Sequence, residues 1–164
     1  DDEILKNAYD TNFKMSPPLR EISDVKAVRD ALKSGLIDVI ATDHAPHHTD
    51  EKIVEFDKAP FGIIGLQTLV PLTLKLVNEG VISLERMVEL TSTNAAKMLN
   101  LKDKGRLAEG MLADITVIDP EIEYVYDEKI NRSKSINSPL FGKKLKGAAT
   151  TTIKSGKIVY EFGK

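Results

Sequence analysis

All three histidines of the chain fall inside one run, Thr42-Asp43-His44-Ala45-Pro46-His47-His48, which directly follows the apolar stretch Ile37-Asp38-Val39-Ile40-Ala41. A carboxylate and imidazoles released at the end of a buried strand are how barrel enzymes present acids, bases and metal ligands. The chemistry such a set supports is metal-assisted hydrolysis. It is too small a set to be a whole active site. His44, His47 and His48 stand at i, i+3 and i+4, as on one helical face, but Pro46 lies inside the stretch and argues against a helix. A self-contained zinc site also usually takes three or four ligands from more than one element. The plainer alternative makes the histidines surface loop residues and Asp43 a helix cap. Position weighs against it, because the tip of a buried parallel strand is where ligands and catalytic groups gather.

Two further stretches gain meaning from that strand tip. Pro17-Pro18-Leu19-Arg20 on its own is an ordinary loop with a solvated arginine. It ends the strand before the one leading to Asp43, on the same side of the expected sheet. Phe61-Gly62 reads either as an apolar plug with a turn glycine or as a place where backbone N–H and C=O groups approach a small polar ring. Tyr124, Tyr126 and Tyr160 are assigned to packing.

The elements that must position these residues follow from periodicity and punctuation. Residues 1–9 suggest a helical turn or two, and Asn12-Phe13-Lys14-Met15 alternates like a short strand before Pro17-Pro18 stops it. Ser23 or Asp24 can cap a helix running to Ser34, with Val25, Val28 and Leu32 on one face and Gly35 closing it. With the strand 37–41 this makes a βαβ unit of a parallel sheet. A long loop over 44–62 precedes a helix over about 65–79 with Leu66, Leu69, Leu72 and Leu76 on one stripe; Pro71 implies a kink or a later start. Ser83 caps a further helix with Leu84, Met87 and Val88 inward, which Thr91-Ser92-Thr93-Asn94 breaks before a last turn over 94–99. After residue 101 the pattern turns to strands at 113–119 and 122–126. A hairpin over 150–161 turns at Ser155-Gly156, after a basic connection over 127–147.

Composition excludes several classes. The 164 residues suit one domain or two small ones, and 41% hydrophobic with 29% charged residues is ordinary globular usage. A net charge of −2 gives no basic surface for nucleic acid and none for anionic lipid. No apolar stretch approaches the roughly 18 residues that span a bilayer. The acidic opening Asp1-Asp2-Glu3 is unlike a secretory leader, and zero cysteines fit a cytoplasmic protein. The start without methionine reads as the middle of something larger.

Several of these residues together carry a family resemblance. Lys14-Met15-Ser16-Pro17-Pro18-Leu19-Arg20, Ala41-Thr42-Asp43-His44-Ala45-Pro46-His47 and Pro60-Phe61-Gly62 resemble successive signatures of bacterial single-chain dihydroorotases. Thr93-Asn94-Ala95-Ala96-Lys97 and the run from Lys104 to Val117 resemble the tail shared by the amidohydrolase superfamily. The first group is fairly specific to dihydroorotase, and the tail alone says only amidohydrolase.

The resemblance implies the C-terminal part of a (β/α)8 TIM barrel over 1–100 and part of a composite β-sandwich over 101–164. It implies interconversion of N-carbamoyl-L-aspartate and L-dihydroorotate, with one or two zinc ions held mostly by ligands outside this chain. Asp43 matches a metal ligand that is also the catalytic acid and base. His47, Phe61 and Gly62 match substrate contacts, and Ser16 stands where many members carry a substrate-binding asparagine. His44 matches a structural position beside the metal ligand. The family's His-x-His pair is absent, and a full barrel needs about 250 residues, so the chain is expected to be a fragment, inactive and without tight zinc by itself. Implied partners are the small-molecule substrate, the rest of the enzyme, and a second copy or aspartate transcarbamoylase. Two other readings share the fold: a different hydantoinase-like cyclic amidohydrolase, and a non-catalytic homologue serving as scaffold for aspartate transcarbamoylase.

Overall fold

A computed structural model of the chain describes Lys6, Asn7 and residues 9–164; the helical turn expected over 1–9 falls mostly outside them. A 3-10 turn, Thr11–Phe13, opens the ordered elements, capped by the Asp10 carboxylate, which accepts from the Asn12 N–H at 2.9 Å. Helices α1 (Ile22–Ser34), α2 (Thr49–Lys52), α3 (Leu69–Asn78), α4 (Leu84–Val88) and α5 (Asn94–Met98) follow. Strands β1 (Ile115–Val125), β2 (Lys144–Lys154) and β3 (Lys157–Glu161) form one sheet in the order β1-β2-β3. The chain is mixed α/β. It divides into two compact units: residues 1–28, 42–69 and 125–144, and residues 29–41, 70–124 and 145–164.

The second unit is built on an apolar core of Leu32, Leu74, Ile82, Met87 and Leu90, with Ile37, Ile40 and Val70 packed against it. Each aliphatic side chain withdrawn from water there contributes about 1.5–3 kcal/mol. Helix α3 begins at Leu69, which puts Pro71 in the first turn, where a missing N–H removes no helical bond. Leu66 is therefore outside the helix and exposed, as is Leu72; Leu74 is buried, and of the expected stripe Leu76 packs against the core. Ser83 caps α4 as expected, its Oγ accepting from the Arg86 N–H at 3.1 Å, but only Met87 of the three expected inward residues is buried. In α1 likewise only Leu32 is buried, while Val25 and Val28 stay exposed.

The break expected at Thr91–Asn94 is instead one wide π turn, Glu89–Thr93, that carries α4 into α5. Thr91 Oγ1 donates to the Met87 carbonyl at 2.8 Å, so the hydroxyl satisfies a helical acceptor where the ladder widens.

The strands expected at 12–15 and 37–41 form no ladder. An extended segment becomes a strand only when a neighbour supplies hydrogen-bond partners, and helical residues take that place for 37–41. The Ile40 N–H donates to the Leu90 carbonyl at 2.9 Å, Arg86 Nη2 to the Ile37 carbonyl at 2.8 Å, and Asn94 Nδ2 to the Asp38 carbonyl at 3.0 Å. Asn94 thus gives the Thr93–Lys97 motif a structural task. Its neighbour Thr93 donates Oγ1 to the Gly105 carbonyl at 2.9 Å, and a Cβ at Gly105 would meet Ala96 Cβ at 2.5 Å.

The hairpin appears where expected. β2 and β3 pair antiparallel with Lys154 opposite Lys157, and Ser155 (φ +49) and Gly156 (φ +78) both take the left-handed backbone of a two-residue turn. Pro120 lies in β1 at the sheet edge, where a missing N–H is tolerated.

The first unit is held differently. Its buried residues include Thr11, Lys14, Lys52, Thr68, Asn137 and Ser138 beside Ile64, Ala59 and Tyr126. Among the described residues no buried side-chain nitrogen or oxygen lacks a hydrogen-bond partner, so this polar interior is fully satisfied.

Candidate active site

Every residue singled out as a site candidate lies in the first unit. Asp43 follows the extended run after α1 and has φ +43, a left-handed conformation that aspartate tolerates better than most residues. Its side chain is exposed and forms no hydrogen bond or ion pair among the described residues. His44 is turned to a structural task. Its Nδ1 accepts the N–H groups of Gly65 (3.1 Å) and Leu66 (3.4 Å), which leaves the ring proton on Nε2. Gly65 is what allows this approach, since a Cβ there would stand 2.8 Å from the Thr42 carbonyl oxygen.

His47, Phe61 and Gly62 come together. His47 Nε2 lies 3.0 Å from the Phe61 carbonyl oxygen, and its Nδ1 lies 3.3 Å from Glu51 Oε2. Gly62 has φ +110, and a Cβ on it would meet Ala45 Cβ at 2.6 Å, so glycine is required for the two loops to touch. The Gly62 N–H donates to the Lys14 carbonyl at 3.0 Å, which draws the segment ending in Ser16 against this loop. Ser16 itself is exposed, two residues beyond that bond, and Arg20 pairs with Asp24 at 2.9 Å. Asp43 is joined to the group through backbone only, by the Ala45 N–H on the Ile63 carbonyl at 2.9 Å.

Sequence reasoning missed the residue that ties these loops together. Asn137, buried, donates Nδ2 to the carbonyls of Ala45 (2.9 Å) and Gly62 (3.3 Å) and accepts the His47 N–H on Oδ1 at 3.2 Å. Its own carbonyl accepts from the Ile64 N–H at 3.1 Å. Its partners lie far back in the chain and no local pattern announces it. Lys14 and Lys52 were missed too. Lys14 Nζ donates to the Asp57 carbonyl at 2.8 Å and sits 4.7 Å from the centre of the exposed Phe61 ring. Lys52 Nζ donates to the carbonyls of Thr11 (3.1 Å) and Pro60 (2.8 Å). Burial pulls the Lys52 ammonium below its ordinary value, and the nearby charge of Lys14 adds to that. Glu51 had a readable signal: it stands three residues after His48 in a capping-box arrangement, with His48 in the place of the usual serine.

Beside these residues opens a cleft of about 460 Å³, with Asn12, Phe13, His47, Lys52, Asn137 and Phe141 on its walls. Zinc would find one suitable donor in Asp43, a free carboxylate; among the described residues no three His, Asp or Glu side chains gather to complete a site.

A match to the amidohydrolase family runs over residues 14–159. The chain belongs to that family. Among its relatives, a dihydroorotase of Geobacter metallireducens is 54% identical over 153 residues, which is 93% of this chain and 36% of that protein. A dihydroorotase of Geobacter sp. strain M21 is 51% identical over 162 residues, 99% of this chain and 38% of that protein. Among solved structures, a D-hydantoinase superposes with a TM-score of 0.86 at 31% identity, covering 99% of this chain and 37% of that one. The L-hydantoinase (dihydropyrimidinase) of Arthrobacter aurescens does so at 0.85 and 34%, covering 92% and 35%. This amidohydrolase chain thus spans little more than a third of the length of the relatives it matches. No helix among its described residues is long and apolar enough to cross a membrane.

Proposed function

We propose that this chain supplies one part of a zinc-dependent dihydroorotase that interconverts N-carbamoyl-L-aspartate and L-dihydroorotate in the cytoplasm. In this reading residues 1–100 belong to a (β/α)8 barrel and 101–164 to a β-sandwich. The observation that carries it is the contrast in similarity: 54% identity to a dihydroorotase over 93% of the chain, against 31% and 34% to the hydantoinases of like fold.

Zinc, when bound, acts as a Lewis acid and brings the ionisation of water from about pH 16 to about 7. Asp43 would be one ligand to it, and its free carboxylate has a second oxygen to take the proton of the attacking water and return it to the departing ring nitrogen. His47 faces two oxygen acceptors with its two ring nitrogens, an arrangement only the protonated ring satisfies on both sides. The ring lies on the wall of the cleft, where an N–H shared with one of these oxygens would meet a substrate carboxylate. Phe61 offers an exposed ring face, and the Phe61 and Gly62 carbonyls each keep a lone pair beyond the bond they already accept. Ser16 would reach substrate as a short hydrogen-bonding side chain in the asparagine's place.

The test grafts this chain onto the Geobacter metallireducens dihydroorotase in place of the third it matches. The graft should open L-dihydroorotate, and Asp43→Asn in it should lower kcat by about 10²–10⁴-fold or more, the usual worth of a positioned acid and base. A graft that leaves dihydroorotate untouched but opens dihydrouracil or a hydantoin would replace this reading with the hydantoinase one.

A further inference from the structure

Glu51 is exposed and closes the capping box of α2, and its Oε2 serves two partners at once. It accepts the His48 N–H at 3.1 Å and stands 3.3 Å from His47 Nδ1. On its other side the His47 ring meets the Phe61 carbonyl at 3.0 Å. A carbonyl oxygen and an ionised carboxylate can only accept, so each of these contacts is a hydrogen bond when the ring nitrogen facing it carries a proton. A ring flip would put Cδ2 and Cε1 where Nδ1 and Nε2 stand, so Glu51 on Nδ1 and the Phe61 carbonyl on Nε2 together fix which way round the imidazole sits. The His47 N–H is held apart from Glu51, by Asn137, while the His48 N–H is bonded to Glu51 itself and closes the capping box of α2. The neighbouring charges turn elsewhere: Asp50 faces His48 Nδ1 at 3.4 Å, and Lys52 donates to the carbonyls of Thr11 and Pro60.

We infer that Glu51 is a positioning residue for His47, orienting the imidazole so that both nitrogens act as donors and Nε2 stays seated on the Phe61 loop. The inference rests on the reading above, in which His47 grips the substrate carboxylate. Its consequence is specific. Binding a carboxylate that is present in substrate and transition state alike affects KM and leaves kcat nearly unchanged. Glu51 therefore acts on affinity through His47, whereas Asp43 acts on turnover.

Two measurements test it. In the 164-residue chain labelled with nitrogen-15, His47→Gln assigns one of only three histidine signals. In the wild-type His47 ring both nitrogens should report N–H donation, Nδ1 to Glu51 and Nε2 to the Phe61 carbonyl. Glu51→Ala should abolish that pattern, and Glu51→Gln, which keeps an acceptor for the His48 N–H and so guards the fold, should weaken it. In the active graft, Glu51→Ala should raise KM for dihydroorotate about 10-fold, as expected for a lost hydrogen bond to a charged group, with kcat within about twofold. Adding Glu51→Ala to His47→Gln should cost nothing further. A His47 signal unchanged by Glu51→Ala, or a KM loss that adds fully to that of His47→Gln, overturns the inference. If His47→Gln itself leaves KM unaltered, the substrate contact fails instead, and the ring signal still decides the role of Glu51.

Discussion

Asn137 shows how much of the site depends on one side chain that touches no expected reactant. Its amide makes two donations and one acceptance, to Ala45, Gly62 and His47. Removing it leaves two carbonyls and an N–H without partners in a buried setting, and each such group costs roughly 1–3 kcal/mol unless water enters. Asn137→Ala is expected to destabilise the chain by about 2–4 kcal/mol in urea unfolding. Asn137→Asp keeps the shape but loses both donors and sets a carboxylate against two carbonyl oxygens. It should be no milder than the alanine variant, and an aspartate variant as stable as wild type would show that the hydrogen bonds do not matter. Lys14 and Lys52 make the same point for the Phe61 loop. Their ammonium groups end on backbone carbonyls rather than carboxylates, so they fix the path of the chain.

At the level of elements, the parts that were legible are those whose cause is local. Ser83 caps its helix through a bond to a residue three positions on, and Ser155-Gly156 turns the hairpin because of what those two residues are. Pro71 sets a limit on where its helix can begin, and the helix begins two residues before it, at Leu69. The segment 37–41 was apolar enough to be a strand, but a ladder is a property of two segments, and its carbonyls and N–H are taken by Arg86, Asn94 and Leu90 instead. The same limit hid Asn137, whose partners lie 75 to 92 residues away. Asp114 is a local residue with a long reach. At the foot of β1 it accepts from Lys104 Nζ, from the Ser155 N–H at 2.7 Å and from Lys154 Nζ at 2.9 Å, so it pins the hairpin turn. These partners, Lys104 foremost, hold its carboxyl well below the usual carboxylate range. A depressed folded value means that the stabilisation is present above the unfolded value of about 3.9 and disappears as pH falls below it. Asp114→Asn should therefore lower the urea midpoint at pH 7, while the two unfolding curves approach each other toward pH 2. A gap that persists unchanged at pH 2 would show that the contribution is not ionic.

Across the whole molecule the two units divide their tasks by chemistry. One buries leucine, isoleucine and methionine and carries the sheet; the other buries lysine, threonine and asparagine and carries the candidate site. A site assembled from loops on a polar interior needs its buried polar groups paired, and among the described residues every buried side-chain nitrogen and oxygen is. Among the described residues no set of metal donors comes together there. Asp43 offers a free carboxylate, His44 has committed Nδ1 to two backbone N–H groups, and His47 has both nitrogens engaged. His48 turns its Nδ1 to the Asp50 N–H and caps α2. A single carboxylate binds zinc only weakly, because tight sites need three or four ligands and their affinity is spread over all of them. The purified 164-residue chain, loaded with zinc and dialysed against metal-free buffer at pH 7.5 (a value chosen to keep free imidazoles neutral), should keep far less than one zinc per chain by atomic absorption. It should also leave dihydroorotate unopened. Stoichiometric zinc that survives dialysis and is lost in Asp43→Asn would mean that these residues rearrange into a closed site, against the proposal that most zinc ligands lie outside this chain.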